Sequence, residues 1–181
     1  KKGGTVADIG CGLGSTTILM AETYPNSHIY GYDFHDESIK IAKERAVEKG
    51  LSNITFEVAD SKKINQSDFD FACIFDALHD MGDPVGVANG IKNILKDDGT
   101  FMLVEPYAED ALKDNLNPSS AMMYGFSTVV CVPTSRAQEV GLCLGAQAGP
   151  KRLTGVLNDA GFEDVRISSK TTNNIVFEAL K

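Results

Sequence analysis

The stretch VADIGCGLGSTT, residues 6–17, constrains the fold more than any other part of the chain. Its three glycines, Gly10, Gly12 and Gly14, follow a short apolar run and precede a serine and a helix-like segment. A glycine-rich turn from a buried strand into a helix is typical of open α/β sheets, and it usually meets a nucleotide-like ligand. The sequence therefore predicts a strand, a tight turn and a helix, with a ligand beside the turn.

Apolar strand-like runs and helix-like segments alternate through most of the chain. We expect one helix to begin at about Ser15, a second to be capped by Asp36 and ended by Gly50, and a third to start at Asp83 before a proline. Such alternation implies right-handed crossovers and a parallel sheet. The strand-like runs are TVADI, HIYGYD, NITFEVAD, DFDFACIFDAL and FMLVEP, and the closing pair EDVRISSK and NNIVFEALK predicts an antiparallel hairpin at the sheet edge.

The composition excludes several classes of protein. The 181 residues are 43% hydrophobic with a net charge of −8, which indicates one globular domain and argues against a direct nucleic-acid partner. No apolar run approaches the roughly 18 residues that cross a bilayer, and no signal sequence is recognisable, so we expect neither membrane insertion nor secretion. Four cysteines without a C-x-x-C pair favour reduced thiols and a cytoplasmic location.

The periodicity fails between residues 107 and 150. This segment predicts a long loop, and loops of that length in compact domains are usually lids or binding insertions. Its group of Met122, Met123, Tyr124 and Phe126 is either ordinary core or the wall of an apolar pocket.

Acidic residues stand at the ends of the first three predicted strands: Asp8 just before the glycine turn, Asp33 and Asp60. The carboxyl ends of parallel strands line one crevice, where ligands bind. A dinucleotide fingerprint, G-x-G-x-x-G, would need a glycine at Ser15, and carboxylates would repel a pyrophosphate. The pattern therefore favours a cationic, phosphate-free nucleoside such as S-adenosylmethionine. A glycine turn without a ligand, and Asp60 as a solvated strand end, remain open.

The chain resembles the class I S-adenosylmethionine-dependent methyltransferases through five motifs in order: VADIGCGLG, YGYDFHDESIKIAKERA, ITFEVAD, FDFACIFDALHD and LKDDGTFMLVEP. The resemblance implies a Rossmann-like three-layer α/β sandwich with a seven-stranded, mostly parallel sheet whose last strand is antiparallel. It also implies one catalytic domain over residues 1–181, an acceptor-site insertion at 107–150, and conversion of S-adenosylmethionine to S-adenosylhomocysteine.

The resemblance further implies which residues hold the cofactor. The glycine loop passes beneath it, an acid binds both ribose hydroxyls, an aromatic side chain packs on adenine, and the end of the fourth strand lies near the methyl group. In this sequence the matching positions are Asp8, Gly10, Gly12, Gly14, Asp33, Phe34, Asp60, Ser61, Asp76 and Ala77. A core position for Phe34 is the open alternative.

His79, in the turn after the fourth strand, is the predicted base, because an imidazole with a pKa near neutral suits a hydroxyl acceptor. The pair His79–Asp80 is similar to that of small-molecule O-methyltransferases with an N-terminal winged-helix dimerisation domain. In that group the histidine is the base and an acid, here Glu105, supports it. Met81 and Gln147 stand where the group has an aromatic residue and a further acid. The alternative for His79 is a loop-packing or helix-capping role.

The leading hypothesis is a methyltransferase that acts on a small molecule, at oxygen, without a metal, because no second histidine or cysteine stands at ligand spacing. The chain enters its first strand almost at once, so we expect a missing N-terminal helical or winged-helix part, through which two copies could pair. The alternative from another class is a cofactor-binding regulatory module of a winged-helix regulator that performs no chemistry. Ser15 and the acids disfavour a third hypothesis, a nicotinamide-dependent oxidoreductase.

Overall fold

The structure, a computed structural model, describes residues 2–181, in which strands and helices alternate as predicted. The strands are β1 Thr5–Ile9, β2 His28–Asp33, β3 Ile54–Val58, β4 Phe69–Phe75, β5 Leu95–Pro106, β6 Asp164–Lys170 and β7 Asn174–Leu180. The α-helices are α1 Ser15–Thr23, α2 Asp36–Glu48, α3 Pro84–Ile94, α4 Pro118–Phe126, α5 Val132–Arg136 and α6 Pro150–Asp159. Within the described residues, no helix combines the length and the apolarity needed to cross a bilayer.

The seven strands form one sheet in the order β3-β2-β1-β4-β5-β7-β6. Neighbours pair in parallel from β3 to β5, whereas β7 runs antiparallel to both β5 and β6. The predicted Rossmann-like fold with an antiparallel last strand is therefore confirmed. The strand order reverses at β1 and β4, and ligands of open α/β sheets bind at such a reversal, beyond the carboxyl ends of the strands.

Two buried clusters hold helices against the sheet. The larger one includes the α3 stripe of Val87, Ile91 and Ile94, as the periodicity predicted, and the smaller one joins α1 and α2. The cap of α2 was predicted wrongly. Asp36 already lies in the first turn, and the helix is capped by His35, whose side chain accepts from the Ser38 N–H.

Residues 107–150 were predicted as a long loop, and this prediction was wrong. Helices α4 and α5 are joined by a π-helical turn at Ser127–Cys131, and short 3₁₀ and irregular segments complete the insertion. Asn117 caps α4 by accepting from the Ser120 N–H. The helical period was not visible in the sequence because apolar side chains such as Phe126 and Val129 are exposed here, so no single face is apolar.

Gly14, at the end of the glycine loop, is a position where both the backbone and the packing resist a side chain. Its φ is +76°, and a Cβ would lie 2.6 Å from Phe56 Cζ and 2.9 Å from Ala42 Cβ. Gly50, after α2, has a similar φ of +65° but no atom within 4 Å of its Cβ position. A residue with a side chain would therefore be strained in its backbone at either position, but its Cβ would overlap other atoms only at position 14.

We expect Gly14→Ala to lower the free energy of unfolding by more than Gly50→Ala. The left-handed backbone costs about 1–2 kcal/mol in either variant, and overpacking adds about 1–3 kcal/mol at position 14 alone. Urea denaturation of the parent and both variants measures the difference. Equal losses in the two variants would contradict the packing argument.

Candidate active site

A crevice of about 420 Å³ lies beyond the carboxyl ends of the central strands. This volume falls within the range of about 300–1,000 Å³ typical of small-molecule sites. Its walls come from the ends of β1 to β4, the start of α3, and the insertion. Seven of the ten predicted cofactor-binding residues line it: Gly10, Asp33, Phe34, Asp60, Ser61, Asp76 and Ala77.

The glycine loop forms a tight turn beside this crevice. Gly10, Gly12 and Gly14 all have positive φ, at +72°, +53° and +76°, which glycine adopts without the penalty that a Cβ brings. The amide N–H groups of Gly10 and Cys11 donate to the Tyr32 carbonyl, at 2.8 and 3.0 Å. No atom lies within 4 Å of where a Gly12 Cβ would stand. That open space lets a ligand approach the backbone closely.

Asp33 connects the glycine loop to the end of β2. Its Oδ2 accepts from the Gly12 N–H at 2.9 Å, and its Oδ1 accepts from the His35 N–H at 2.9 Å. The residue is 9% exposed, yet it lines the crevice. Because each carboxylate oxygen has a second lone pair, Asp33 can hold the loop and still accept from two adjacent hydroxyls.

Asp8 does not lie where the cofactor prediction put it. It is 1% exposed and does not line the crevice. Its Oδ2 accepts from the hydroxyls of Thr16 and Thr17, both at 2.7 Å, so it fastens β1 to the start of α1. Burial raises the pKa of Asp8 to about 6, although the two threonine hydroxyls oppose this shift. Its role is to support the loop from within the core.

Phe34 and Asp60 form the outer part of the crevice. Phe34 is 76% exposed, so the alternative that it belongs to the core was wrong. Asp60 accepts from the Lys62 N–H at 3.0 Å, and its Oδ2 lies 3.5 Å from Lys63 Nζ. This exposed carboxylate is therefore already partly neutralised by the turn that follows β3.

His79 and Glu105, the predicted catalytic pair, are in contact. His79 Nδ1 lies 2.5 Å from Glu105 Oε2, and Glu105 Oε1 accepts from the Leu78 N–H at 2.9 Å. His79 is only 5% exposed, and its Nε2 lies 3.3 Å from Asp80 Oδ1. Both ring nitrogens therefore face carboxylates. The sequence analysis missed the role of Asp80 as the second neighbour of the ring.

The charges around His79 favour its protonated form. Burial lowers the pKa of the imidazole, but the hydrogen bond and charge of Glu105, together with the charges of Asp80 and Asp76, outweigh burial. The pKa of His79 therefore lies above its ordinary value of 6.5. A raised pKa means that the neutral imidazole, the form that can accept a proton, is reached only at higher pH than for an ordinary histidine.

No metal site was predicted from the spacing of residues along the chain, but folding brings distant groups together. Ligand atoms of His79, Asp80 and Cys131 lie within 4.8 Å of one another, as do those of Asp76, His79 and Glu105. No sequence motif signals this convergence. Because Nδ1 of His79 is already bonded to Glu105, we assign no metal to either group.

A second cavity, of about 560 Å³, lies next to the crevice. It is formed by Asp76, the residues after β5, the insertion and the β6–β7 turn, and its lining includes Tyr107, Asn115, Met123 and Asn174. Of the four apolar residues singled out in the sequence, Met122 and Met123 line this cavity, whereas Tyr124 and Phe126 do not. Its lining combines these two methionines with polar side chains such as Asn115 and Asn174.

Comparison with known proteins finds methyltransferases. The chain is 31% identical over 107 residues to N-methyltransferase 4 of Papaver somniferum. This alignment covers 58% of the present chain and 30% of that protein. Two solved structures align with 98% of this chain, each with a TM-score of 0.74. One is a candidate O-methyltransferase of Nostoc punctiforme, with 22% identity and 52% of its chain covered. The other is human N-acetylserotonin methyltransferase in complex with S-adenosylmethionine, with 21% identity and 47% of its chain covered.

The chain spans less than half the length of the curated relatives that match it first, at 30–46%. The family model, by contrast, covers most of the chain: residues 1–161 match the model described as a methyltransferase domain. Together with the observed strand order, this match identifies the chain as a member of the methyltransferase domain family.

Proposed function

We propose that this chain is the catalytic domain of an S-adenosylmethionine-dependent methyltransferase that methylates a small molecule at oxygen. The observation that carries the proposal is the position of Asp33, which fixes Gly12 and lines the crevice at the reversal of strand order. Membership of the methyltransferase domain family supports it, as does the complex of the human relative with S-adenosylmethionine.

The residues of the crevice fit this cofactor. Asp33 has lone pairs for the two ribose hydroxyls, the open face above Gly12 admits close contact, and the exposed ring of Phe34 is available to an adenine. The cofactor supplies a methyl group on a positively charged sulfur. Carboxylates suit that charge, and the nearby Lys62 is paired with Asp83 and Glu139, at 3.4 and 2.7 Å, so it offers little to a phosphate.

For the acceptor, we propose the second cavity, with residues 107–150 as the acceptor-site insertion. Asp76 lines both cavities, so an acceptor in the second could meet a methyl group held in the first. Methyl transfer requires the nucleophile and the methyl carbon in line and near contact, and neighbouring sites for cofactor and acceptor suit this requirement.

A hydroxyl acceptor must lose its proton, and two residues near the junction could receive it. His79 is the candidate from the sequence, with Glu105 as its support. It can act only after Nε2 has separated from Asp80 and become neutral, because Nδ1 is bonded to Glu105. Asp76 is the candidate from the geometry of the cavities, and it is treated in the next subsection.

Asp33→Asn tests the proposed cofactor site. We expect the Kd for S-adenosylhomocysteine to rise by at least about tenfold, since a hydrogen bond to a charged group contributes about 1.5–3 kcal/mol and each 1.4 kcal/mol is a factor of about ten. Titration calorimetry measures the affinity, and thermal unfolding shows whether the variant still folds.

Asp60→Asn is the matched control for this experiment. It removes an equal charge from the same crevice, but from an exposed carboxylate already bonded to the Lys62 N–H, so we expect a smaller loss of affinity.

Parent protein that binds NAD more tightly than S-adenosylhomocysteine would contradict the proposed cofactor.

His79→Gln tests the hypothesis that His79 is the base, and Gln retains a donor for Glu105. The hypothesis predicts nearly intact cofactor affinity, because His79 does not line the crevice, and a fall in turnover of about 10²–10⁴-fold. In the parent, activity should rise with pH through a pKa above 6.5, because the base must be neutral. Steady-state rates with hydroxyl acceptors from pH 5 to 9 measure both effects.

If the variant keeps the turnover and the pH profile of the parent, His79 is not the base. A different outcome concerns the parent: full-length protein that binds S-adenosylmethionine but methylates nothing in a broad acceptor screen would favour the regulatory module over the enzyme.

A further inference from the structure

We propose that Asp76 is the residue that receives the proton of the acceptor during methyl transfer, in place of His79. This inference rests on the proposed function and deepens it by assigning the base. Four observations support it: the position of Asp76 between the two cavities, the freedom of its carboxylate, its backbone conformation, and its surrounding charges.

Position is the first argument. Asp76 directly follows β4, the strand next to the reversal of strand order. Among the described residues that line the crevice or the second cavity, only Asp76 is common to both. A group that takes a proton from the acceptor oxygen must lie within hydrogen-bond reach of that oxygen while the methyl group approaches from the other side. Asp76 is situated where both requirements meet.

The second argument is that the Asp76 carboxylate is free to accept. Its backbone N–H donates to the Val104 carbonyl at 2.8 Å, but its side chain makes no hydrogen bond or ion pair within residues 2–181. His79 differs in every respect, since it lines neither cavity and both its ring nitrogens face carboxylates. Lone pairs are thus available at Asp76 and not at His79.

The backbone of Asp76 is the third argument. Its φ is +54°, a left-handed conformation that is uncommon for a residue with a side chain. Strain of this kind persists only where the surroundings enforce it, and it concentrates at functional sites. Here the sharp turn after β4 carries the carboxylate to the junction of the cavities, while Leu78 and His79 turn back into the core.

The fourth argument is electrostatic. Desolvation at the junction raises the pKa of Asp76, the charge of His79 opposes this shift, and the charge of Asp80 adds to it. Glu105, behind His79, also lies close to this carboxylate, with side-chain oxygens of the two acids within 4.8 Å of each other. A carboxylate whose pKa is raised toward the working pH is a better base than an ordinary one. The charge of His79, which is held by Glu105, limits that rise.

The chemical step balances with these groups alone. The acceptor O–H bond breaks and its proton passes to the Asp76 carboxylate. The acceptor oxygen then forms a bond to the methyl carbon, and the electron pair of the broken carbon–sulfur bond stays on sulfur. One positive charge on sulfur and one negative charge on Asp76 are both neutralised, so no metal, oxidant or further reactant is needed.

The test compares Asp76→Asn, His79→Gln and the parent protein, with phenols and thiophenols as acceptors and release of S-adenosylhomocysteine as the readout. We expect Asp76→Asn to lower kcat with phenols by about 10²–10⁴-fold and to remove the acidic limb of the pH profile. With thiophenols, which can react as thiolates formed in solution, the loss should be much smaller. His79→Gln should keep the acidic limb and move it to higher pH, because a positive charge beside Asp76 is lost.

Asp114→Asn is the matched control variant. It removes an equal charge from the second cavity at a position that does not line the crevice, so its kcat should keep the acidic limb even where its KM changes. Calorimetry with S-adenosylhomocysteine separates a loss of cofactor affinity from a loss of the chemical step in each variant.

A second readout does not depend on turnover. Carboxyl ¹³C NMR of aspartate-labelled parent protein with S-adenosylhomocysteine, assigned by the signal missing from Asp76→Asn, should give Asp76 a pKa above its ordinary value of 3.8. An ordinary value, or phenol methylation by Asp76→Asn at the parent rate, would overturn the assignment of the base. A parent that methylates no acceptor would instead overturn the proposed function, whatever the titration of Asp76 shows.

Discussion

The site depends on one carboxylate that holds two turns together. Asp33 accepts from the backbone of Gly12 in the first turn and of His35 in the second, so the loops after β1 and β2 cannot move independently. A glycine loop with three positive φ values has little conformational preference of its own, and the entropy of an unfastened loop would oppose ligand binding. The hydrogen bond from the Gly12 N–H to Asp33 holds the loop in one conformation, with the space beside Gly12 open, before a ligand binds.

Much of this fold could be predicted from the sequence because its signals are local. Each signal extends over only a few residues: the apolar runs, capping residues such as Asp83, and the glycine turn. Once the strands are assigned, the acids at their ends can be located as well. The seven predicted residues that line the crevice were found in this way. Asp8 was misassigned because a motif does not reveal on which side of the backbone a side chain packs, and here two threonines draw it into the core.

The parts that could not be predicted depend on contacts between distant residues. Burial lowers the pKa of His79, and Glu105, which is 26 positions away, raises it together with the nearby Asp80 and Asp76. The helical structure of the insertion was hidden because its exposed apolar side chains, such as Val129, leave no periodic pattern. His79 was thus predicted as a base from its residue type. Whether it is free to accept a proton depends on neighbours that only the fold brings close to it.

Within the part of the chain that the structure describes, the crevice and the second cavity share one lining residue, Asp76. A ligand that occupied both cavities would therefore have to pass beside this one side chain. An inhibitor that joins a nucleoside to an acceptor fragment would need a linker narrow enough to pass that side chain, and a bulkier residue there would seal the passage. Evolution of a new acceptor preference could proceed in the insertion without disturbing the cofactor compartment, provided that this opening stays clear.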